Sequence, residues 1–305
     1  MSEAFERFIG IDWSGAANAS GQQVYVAEAH RQDARITLHS VVRARDRSAV
    51  ETFLRGWPLT HAPTWEDWPG PGELDRRPRR IVGLDFAFGF PAAFLHPELD
   101  SAWSWEDLAR WAATLDASAS SGEAESTLRQ AIEASDALRE QFRTRGGNTR
   151  EMHLRITDRH APGRPTSVFH LIGPSQVGLG SITGLAMLHR LRRTEQLAVW
   201  PFDGLERLKR ARAVLVEVFP RMWLIPGLRK NELPERVRQL DRWRREGIAF
   251  RSNAELAAAS SGDALDAAAA AIGAARCCFR LPSPEAVPEE ARRQEGWIAG
   301  VQPPA

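Results

Sequence analysis

The sequence predicts an α/β protein with a mixed five-stranded sheet flanked by helices, and three observations carry that expectation. The apolar run Phe8-Ile9-Gly10-Ile11 ends on Asp12 and is followed by a small-residue loop, Ser14-Gly15-Ala16-Ala17. A near copy, Ile81-Val82-Gly83-Leu84, ends on Asp85. Both read apolar, glycine, apolar, aspartate, turn, and open α/β sheets build their sites from groups delivered at the C-terminal ends of such strands. Third, Ala213-Val214-Leu215-Val216-Glu217-Val218-Phe219 is apolar on both faces except for Glu217, the pattern of a central parallel strand.

After the first strand, residues 23–29 and 35–42 read as two more strands joined by the turn-like Arg31-Gln32-Asp33-Ala34, so the chain opens with three antiparallel strands in succession. Ser48 is placed to cap a short helix reaching residue 54, with Val50, Phe53 and Leu54 on one face. A Pro/Trp/Gly-rich loop, residues 57–79, leads to the second aspartate strand. Ser104-x-x-Asp107 opens a helix in capping-box style, with Trp105, Leu108, Trp111, Ala112 and Leu115 on its apolar face. Residues 123–143 predict another helix and residues 182–193 a third, around an irregular polar stretch, 144–180. No β period persists from 92 to 212, which predicts a mostly helical insertion between strands 4 and 5. Beyond it come a helix over 231–246, closed by Gly247, and an alanine-rich helix from Gly262 to about Cys277. Residues 295–298 are a candidate edge strand. The order β-β-β-α-β-insertion-β-α is that of a ribonuclease H-like sheet, and residues 1–305 read as one such domain.

The totals exclude some classes. A hydrophobic fraction of 43% and a charged fraction of 26% are those of a globular protein. No apolar run approaches the ~18 residues of a membrane span. The first seven residues lack a signal-peptide apolar core, and Cys277 and Cys278 are the only cysteines, without metal-ligand spacing, so a cytoplasmic setting is expected. The net charge is +1 but unevenly laid out. Residues 92–142 hold ten acids against three arginines, and residues 186–245 hold fifteen Lys/Arg against seven acids. The basic stretch is a candidate nucleic-acid face. Equally, the chain has only two lysines, Lys209 and Lys230, and arginine then serves as the generic surface cation.

In the expected topology strands 1 and 4 are neighbours, which sets Asp12 beside Asp85. Carboxylates that close repel unless one is protonated or a cation lies between them, and hard oxygen donors select Mg²⁺ or Mn²⁺. Asp263-x-x-Asp266 puts two more carboxylates on one face at a helix start, where Asp263 also suits an N-cap. Glu217, inside an apolar strand, is either a further catalytic acid or one half of a structural ion pair with Arg221 or an insertion arginine. Asp12, Asp85, Asp263 and Asp266 together suit metal-dependent phosphodiester hydrolysis with two ions, one activating water and both stabilising the charge on phosphorus. Ser14, Arg155, Arg159, His170, Gln176 and Arg221 are candidate substrate contacts, and His153 and His160 candidate general acids or phosphate contacts.

The segments IGIDWSGA, VGLDFAFGFP, FHLIGPSQVGLGSI, VLVEVFPR, GDALDAAAAAIGA and EGWI together resemble the family known as domain of unknown function 429, spread over nearly the whole chain. That resemblance implies a ribonuclease H fold and a nuclease activity. The Asp-x-x-Asp-Ala helix start also resembles the C-terminal helix of Holliday-junction resolvases, which implies metal ligation by Asp12, Asp85, Asp263 and Asp266. Glu217 has no counterpart there, and the insertion is a departure. Two other classes compete: an actin-like or sugar-kinase-type phosphotransferase, whose phosphate loop Ile11-Asp12-Trp13-Ser14-Gly15-Ala16 imitates, and a non-catalytic binding protein on the same fold. A small phosphorylated substrate under a helical lid is a variant of the hydrolase reading.

Overall fold

A computed structural model describes residues 6–13, 24–33, 35–56, 79–94, 103–118, 124–144, 154–172, 176–278 and 281–304. Ser14, His153 and the 57–78 part of the loop lie outside the described residues.

The strands are β1 (Arg7–Asp12), β2 (Val24–Gln32), β3 (Arg35–Ala44), β4 (Arg80–Leu84), β5 (Leu197–Val199), β6 (Ala213–Glu217) and β7 (Ala249–Phe250). They form one mixed sheet in the order β5-β6-β4-β1-β2-β3-β7. Within it β2 is antiparallel to β1 and β3, and the other pairings are parallel. The five expected strands therefore take the expected neighbours, but the sheet has seven. The additions are edge strands of three and two residues, too short to show a period. One of them, β5, falls inside the 92–212 segment expected to be free of strand. The expected edge strand at 295–298 is instead a single parallel bridge, Glu217 to Ile298, after an irregular turn over Ala291–Glu295.

The helices are α1 (Arg47–Leu54), α2 (Trp105–Ser118), α3 (Ala124–Ala134), α4 (Asp136–Arg139), α5 (Ile156–His160), α6 (Val177–Leu191), α7 (Leu205–Arg210), α8 (Leu233–Arg245), α9 (Ser252–Ala258) and α10 (Gly262–Cys277). The α2 capping box forms as expected: the Asp107 carboxylate accepts from the Ser104 amide at 2.9 Å, and the Ser104 hydroxyl accepts from the Asp107 amide. Two caps differ from expectation. Asp46, not Ser48, accepts from Ala49 at the start of α1, and Ser261, not Asp263, accepts from Ala264 at the start of α10. In each case a residue two positions earlier takes the extended conformation a cap needs. The helix expected over 123–143 breaks at Ser135, whose side chain caps α4.

The alternation of side chains along the strands feeds two cores. Ile9, Ile11, Val82 and Leu84 pack with α1, α2 and α6 on one face. Phe8, Ile81, Val214 and Val216 pack with α8, α9 and α10 on the other. The glycines of the two aspartate strands explain how close α10 comes. Gly10 and Gly83 are register partners, and a β-carbon on Gly10 would overlap the backbone of Ala267 and Ala271. One on Gly83 would meet Val218 at 2.8 Å and the Ala270 carbonyl at 3.3 Å. The missing side chains and the alanine run let the helix lie almost on the sheet, so its N-terminal turns reach the C-terminal ends of β1 and β4.

Candidate functional site

Three elements converge at that end of the sheet. Asp12 is the last residue of β1, Asp85 follows β4 with its amide donating to the Ile11 carbonyl at 2.9 Å, and Asp266 sits in the second turn of α10. One carboxylate oxygen from each of Asp12, Asp85 and Asp266 lies within 4.8 Å of the other two. Asp12 and Asp266 are buried at 8% and 6% exposure, while Asp85 is more open. The sequence-predicted ligand Asp263 lines the same cavity but stands outside this trio. As the second residue of α10, it faces the cluster from one turn further out.

Burial, then the charges of Asp85, Asp266 and Asp263, hold the Asp12 carboxyl well above the usual carboxylate range. Burial and Asp266 push Asp85 up to about 8. Asp266 is raised as well, by burial, with Lys230 opposing. The Lys230 ammonium donates to the Asp266 carboxylate. Burial works against that ammonium, but Asp266, Asp12 and Asp85 outweigh it and hold its pKa above the usual lysine value. Burial and mutual repulsion thus both oppose ionising all three acids together.

Glu217, at the end of β6, is next to this cluster but differently employed. Arg155 spends its five N–H donors on Asp158 (3.1 and 2.8 Å), Glu217 (2.7 and 2.5 Å) and the Glu295 carbonyl (3.0 Å). The Glu217 carboxylate also accepts from the Phe88 amide at 2.9 Å. Against its burial, Asp158 and Glu217 raise the Arg155 pKa, so the guanidinium stays charged. This is the structural ion pair, formed with an insertion arginine. Both Glu217 carboxylate oxygens are engaged in this pair, and Arg155, at 2% exposure, has no donor left for substrate. Glu295 completes the tie: its carboxylate accepts from the amides of Ala92 and Ile156 at 2.8 and 2.6 Å, joining both ends of a long stretch of the insertion to the C-terminal segment.

The remaining expected contacts divide. Gln176 and Arg221 line the cavity beside the trio. Arg159 instead turns back on the Leu154 carbonyl at 2.9 Å, and His170 lies at a bridge to Arg143, where burial and that arginine lower its pKa. Neither lines the cavity, and nor does the exposed His160. Residues of the 186–245 stretch are largely compensated. Arg190 pairs with Glu51 and Asp116, Arg192 with Asp203 and Glu106, Arg229 with Glu232, Arg238 with Glu235, Arg242 with Glu246, and Arg244 with Asp241 and Glu255. Much of its positive charge is therefore spent within the chain.

The cavity over the trio has a volume of about 520 Å³. Among the described residues its walls are Trp13, the turns after β4 and β6, the start of α6, the stretch around Arg164 and the start of α10. Sequence reasoning missed Lys230, although a lysine in a chain that otherwise uses arginine was a signal. No described helix is long and apolar enough to cross a membrane. Comparison with protein-family profiles, curated proteins and solved structures finds no match to the chain.

Proposed function

We propose that the chain is a divalent-cation-dependent phosphodiester hydrolase whose metal ligands are Asp12, Asp85 and Asp266. The observation that carries the reading is the trio itself: three carboxylate oxygens from three elements within 4.8 Å, two of the acids buried. The donor set is all hard oxygen, which suits Mg²⁺ or Mn²⁺. Charge supports one ion in place of the two expected from the sequence. Three carboxylates and Lys230 sum to −3 + 1 = −2, which a single divalent cation balances. A cation bound there supplies Lewis acidity toward a phosphoryl oxygen and a water acidified enough to attack. Lys230 holds Asp266 in place. The order of the five central strands and the likeness to the domain of unknown function 429 family support a ribonuclease H-like classification and a nuclease-type reaction.

The test is a calorimetric titration of Mn²⁺ into the wild-type protein and Asp12→Asn, followed by hydrolysis of bis(p-nitrophenyl) phosphate. One Mn²⁺ per chain, lost in the variant together with hydrolysis, is the expected result. Equal Mn²⁺ binding by both proteins would refute the ligand set.

A further inference from the structure

We infer that the cavity takes a nucleotide-sized phosphoester whose phosphate is gripped by Arg164 and Arg221, not a double-stranded nucleic acid laid along a groove. The inference rests on the metal reading above for the position of the reacting phosphorus, and adds the substrate class and the residues that select it.

Arg164 and Arg221 line the cavity that holds the aspartate trio, and the positive charge of Arg221 reaches Asp266. Both side chains are exposed, and neither makes a hydrogen bond or salt bridge among the described residues. That sets them apart in a chain whose arginines are mostly paired with acids or backbone carbonyls. An uncompensated pair of guanidiniums facing three carboxylates across a cavity leaves room for a group that is itself anionic and carries a metal on its far side, which is the charge pattern of a phosphoester.

The backbone supports the pairing. Arg164 has φ of +53° and Gly163 φ of +91°. A non-glycine residue is disfavoured in the left-handed region, and such strain gathers at ligand clamps. The two arginines come together at this turn: a β-carbon on Gly163 would stand in ordinary van der Waals contact, 3.4 Å, with the Arg221 Cγ and the Phe219 ring. The Arg221 stem therefore lies over the 163–164 turn, and both arginines line the same cavity.

The rest of the wall defines the other half of the ligand. Phe219, Leu224, Ile225 and Leu228 form an apolar side to the cavity next to the arginines. A ligand that fits has an anion and an apolar or aromatic group side by side, as a nucleoside monophosphate or its ester does. Cavities of about 300–1,000 Å³ enclose ligands of that size, and 520 Å³ falls within the range. A duplex needs an extended cationic track, whereas the cations of the 186–245 stretch are largely tied to acids.

The experiment titrates adenosine 5′-monophosphate, inorganic phosphate and a short blunt DNA duplex into Mn²⁺-loaded full-length protein, as wild type, Arg164→Ala and Arg221→Ala. Mn²⁺ alone is titrated into each as the control. The expected result is Mn²⁺ binding that is retained in both variants, no weaker than wild type, and a loss of mononucleotide affinity of about ten- to a hundredfold in each, the usual effect of removing one charge-assisted contact. Inorganic phosphate should bind more weakly than the mononucleotide and lose affinity in the same variants. Mononucleotide affinity unchanged in both variants, or a duplex bound more tightly than the mononucleotide, would overturn the inference. A wild-type protein that binds no Mn²⁺ sinks the metal reading alone. Mononucleotide binding in EDTA then decides the clamp, supporting it if arginine-dependent and overturning it if not.

Discussion

Replacing Asp12 by asparagine should raise the stability of the metal-free protein while removing its response to metal. The magnitude follows from the trio. Two unit charges at 4.8 Å in an effective dielectric of about 20 repel by about 3 kcal/mol. The bare cluster relieves part of this through Asp85, whose carboxyl is pushed up to about 8. Asparagine removes one of the three acids and keeps the side-chain volume, so the recovered energy is on the order of 1–2 kcal/mol. An unfolding entropy of about 2.1 cal/mol/K per residue over 305 residues puts one degree of Tm at about 0.6 kcal/mol. The variant should therefore melt roughly 2–3 °C above wild type in EDTA. Mn²⁺ at a hundred times its Kd adds about 2.7 kcal/mol to a protein that binds it only when folded, a rise of roughly 4 °C for wild type and none for the variant. Differential scanning calorimetry at neutral pH, with and without Mn²⁺, reads both effects. A metal-free variant melting several degrees below wild type, or one with the full Mn²⁺ shift, would refute the argument.

The same cluster sets a pH dependence of unusual sign. A carboxyl whose folded pKa is about 8 against an ordinary 3.8 stabilises the fold below pH ~4 and loses that contribution as pH rises through about 8. Melting of the metal-free protein across that window should show Tm falling with pH, and saturating Mn²⁺ should flatten the slope. A Tm that climbs through the window would contradict the assignment. Arg155→Met strands Glu217 and Asp158 without their cation, and urea unfolding should report a loss of about 3–5 kcal/mol. Glu217→Gln should leave Mn²⁺ affinity at the wild-type level, and a large loss would return Glu217 to the metal site. Lys230→Met frees Asp266 and removes a competing cation, so Mn²⁺ should bind on the order of tenfold tighter, which the same titration measures.

The centre of the fold was legible because its signals are local. Each aspartate strand announces itself by a short apolar run and a turn, and the parallel pairing of β1 with β4 then follows from the order of elements. Asp266 was legible as a partner for the same reason: a helix that starts with acids and continues as alanine is built for close packing. What escaped depended on distance in sequence. Nothing near Glu217 says that its partner is Arg155, 62 residues earlier. The cap of α10 is a different case: Ser261, two residues before Asp263, is as good a cap, and the choice between them was local but undecided by residue type. Some cations of 186–245 looked available because their acids, Glu51 and Asp116 for Arg190 and Glu106 for Arg192, lie far away along the chain, while others pair within a turn of their own helix, as Arg238 does with Glu235. The edge strands escaped on length alone, since runs of three and two residues are placed by the neighbour they pair with.

Two acidic groups stand side by side at the end of this sheet, and the hydrogen bonds their carboxylates accept set them apart. Around Arg155, the carboxylates of Asp158 and Glu217 face a buried guanidinium that satisfies all its donors, and the Phe88 amide takes up further acceptor capacity on Glu217. That group is closed, and its work is to pin the insertion and the C-terminal segment against β6. Around Asp12, three carboxylates face one partly exposed lysine, which leaves a deficit of two charges at a cavity wall. Selection for stability alone would favour a closed second group too, since burying unbalanced acids costs several kcal/mol. The paired glycines on β1 and β4 bring α10 near enough to create the imbalance. Two central strand positions give up side-chain packing and three acids come together as a result, and the proposed cation site rests on that arrangement.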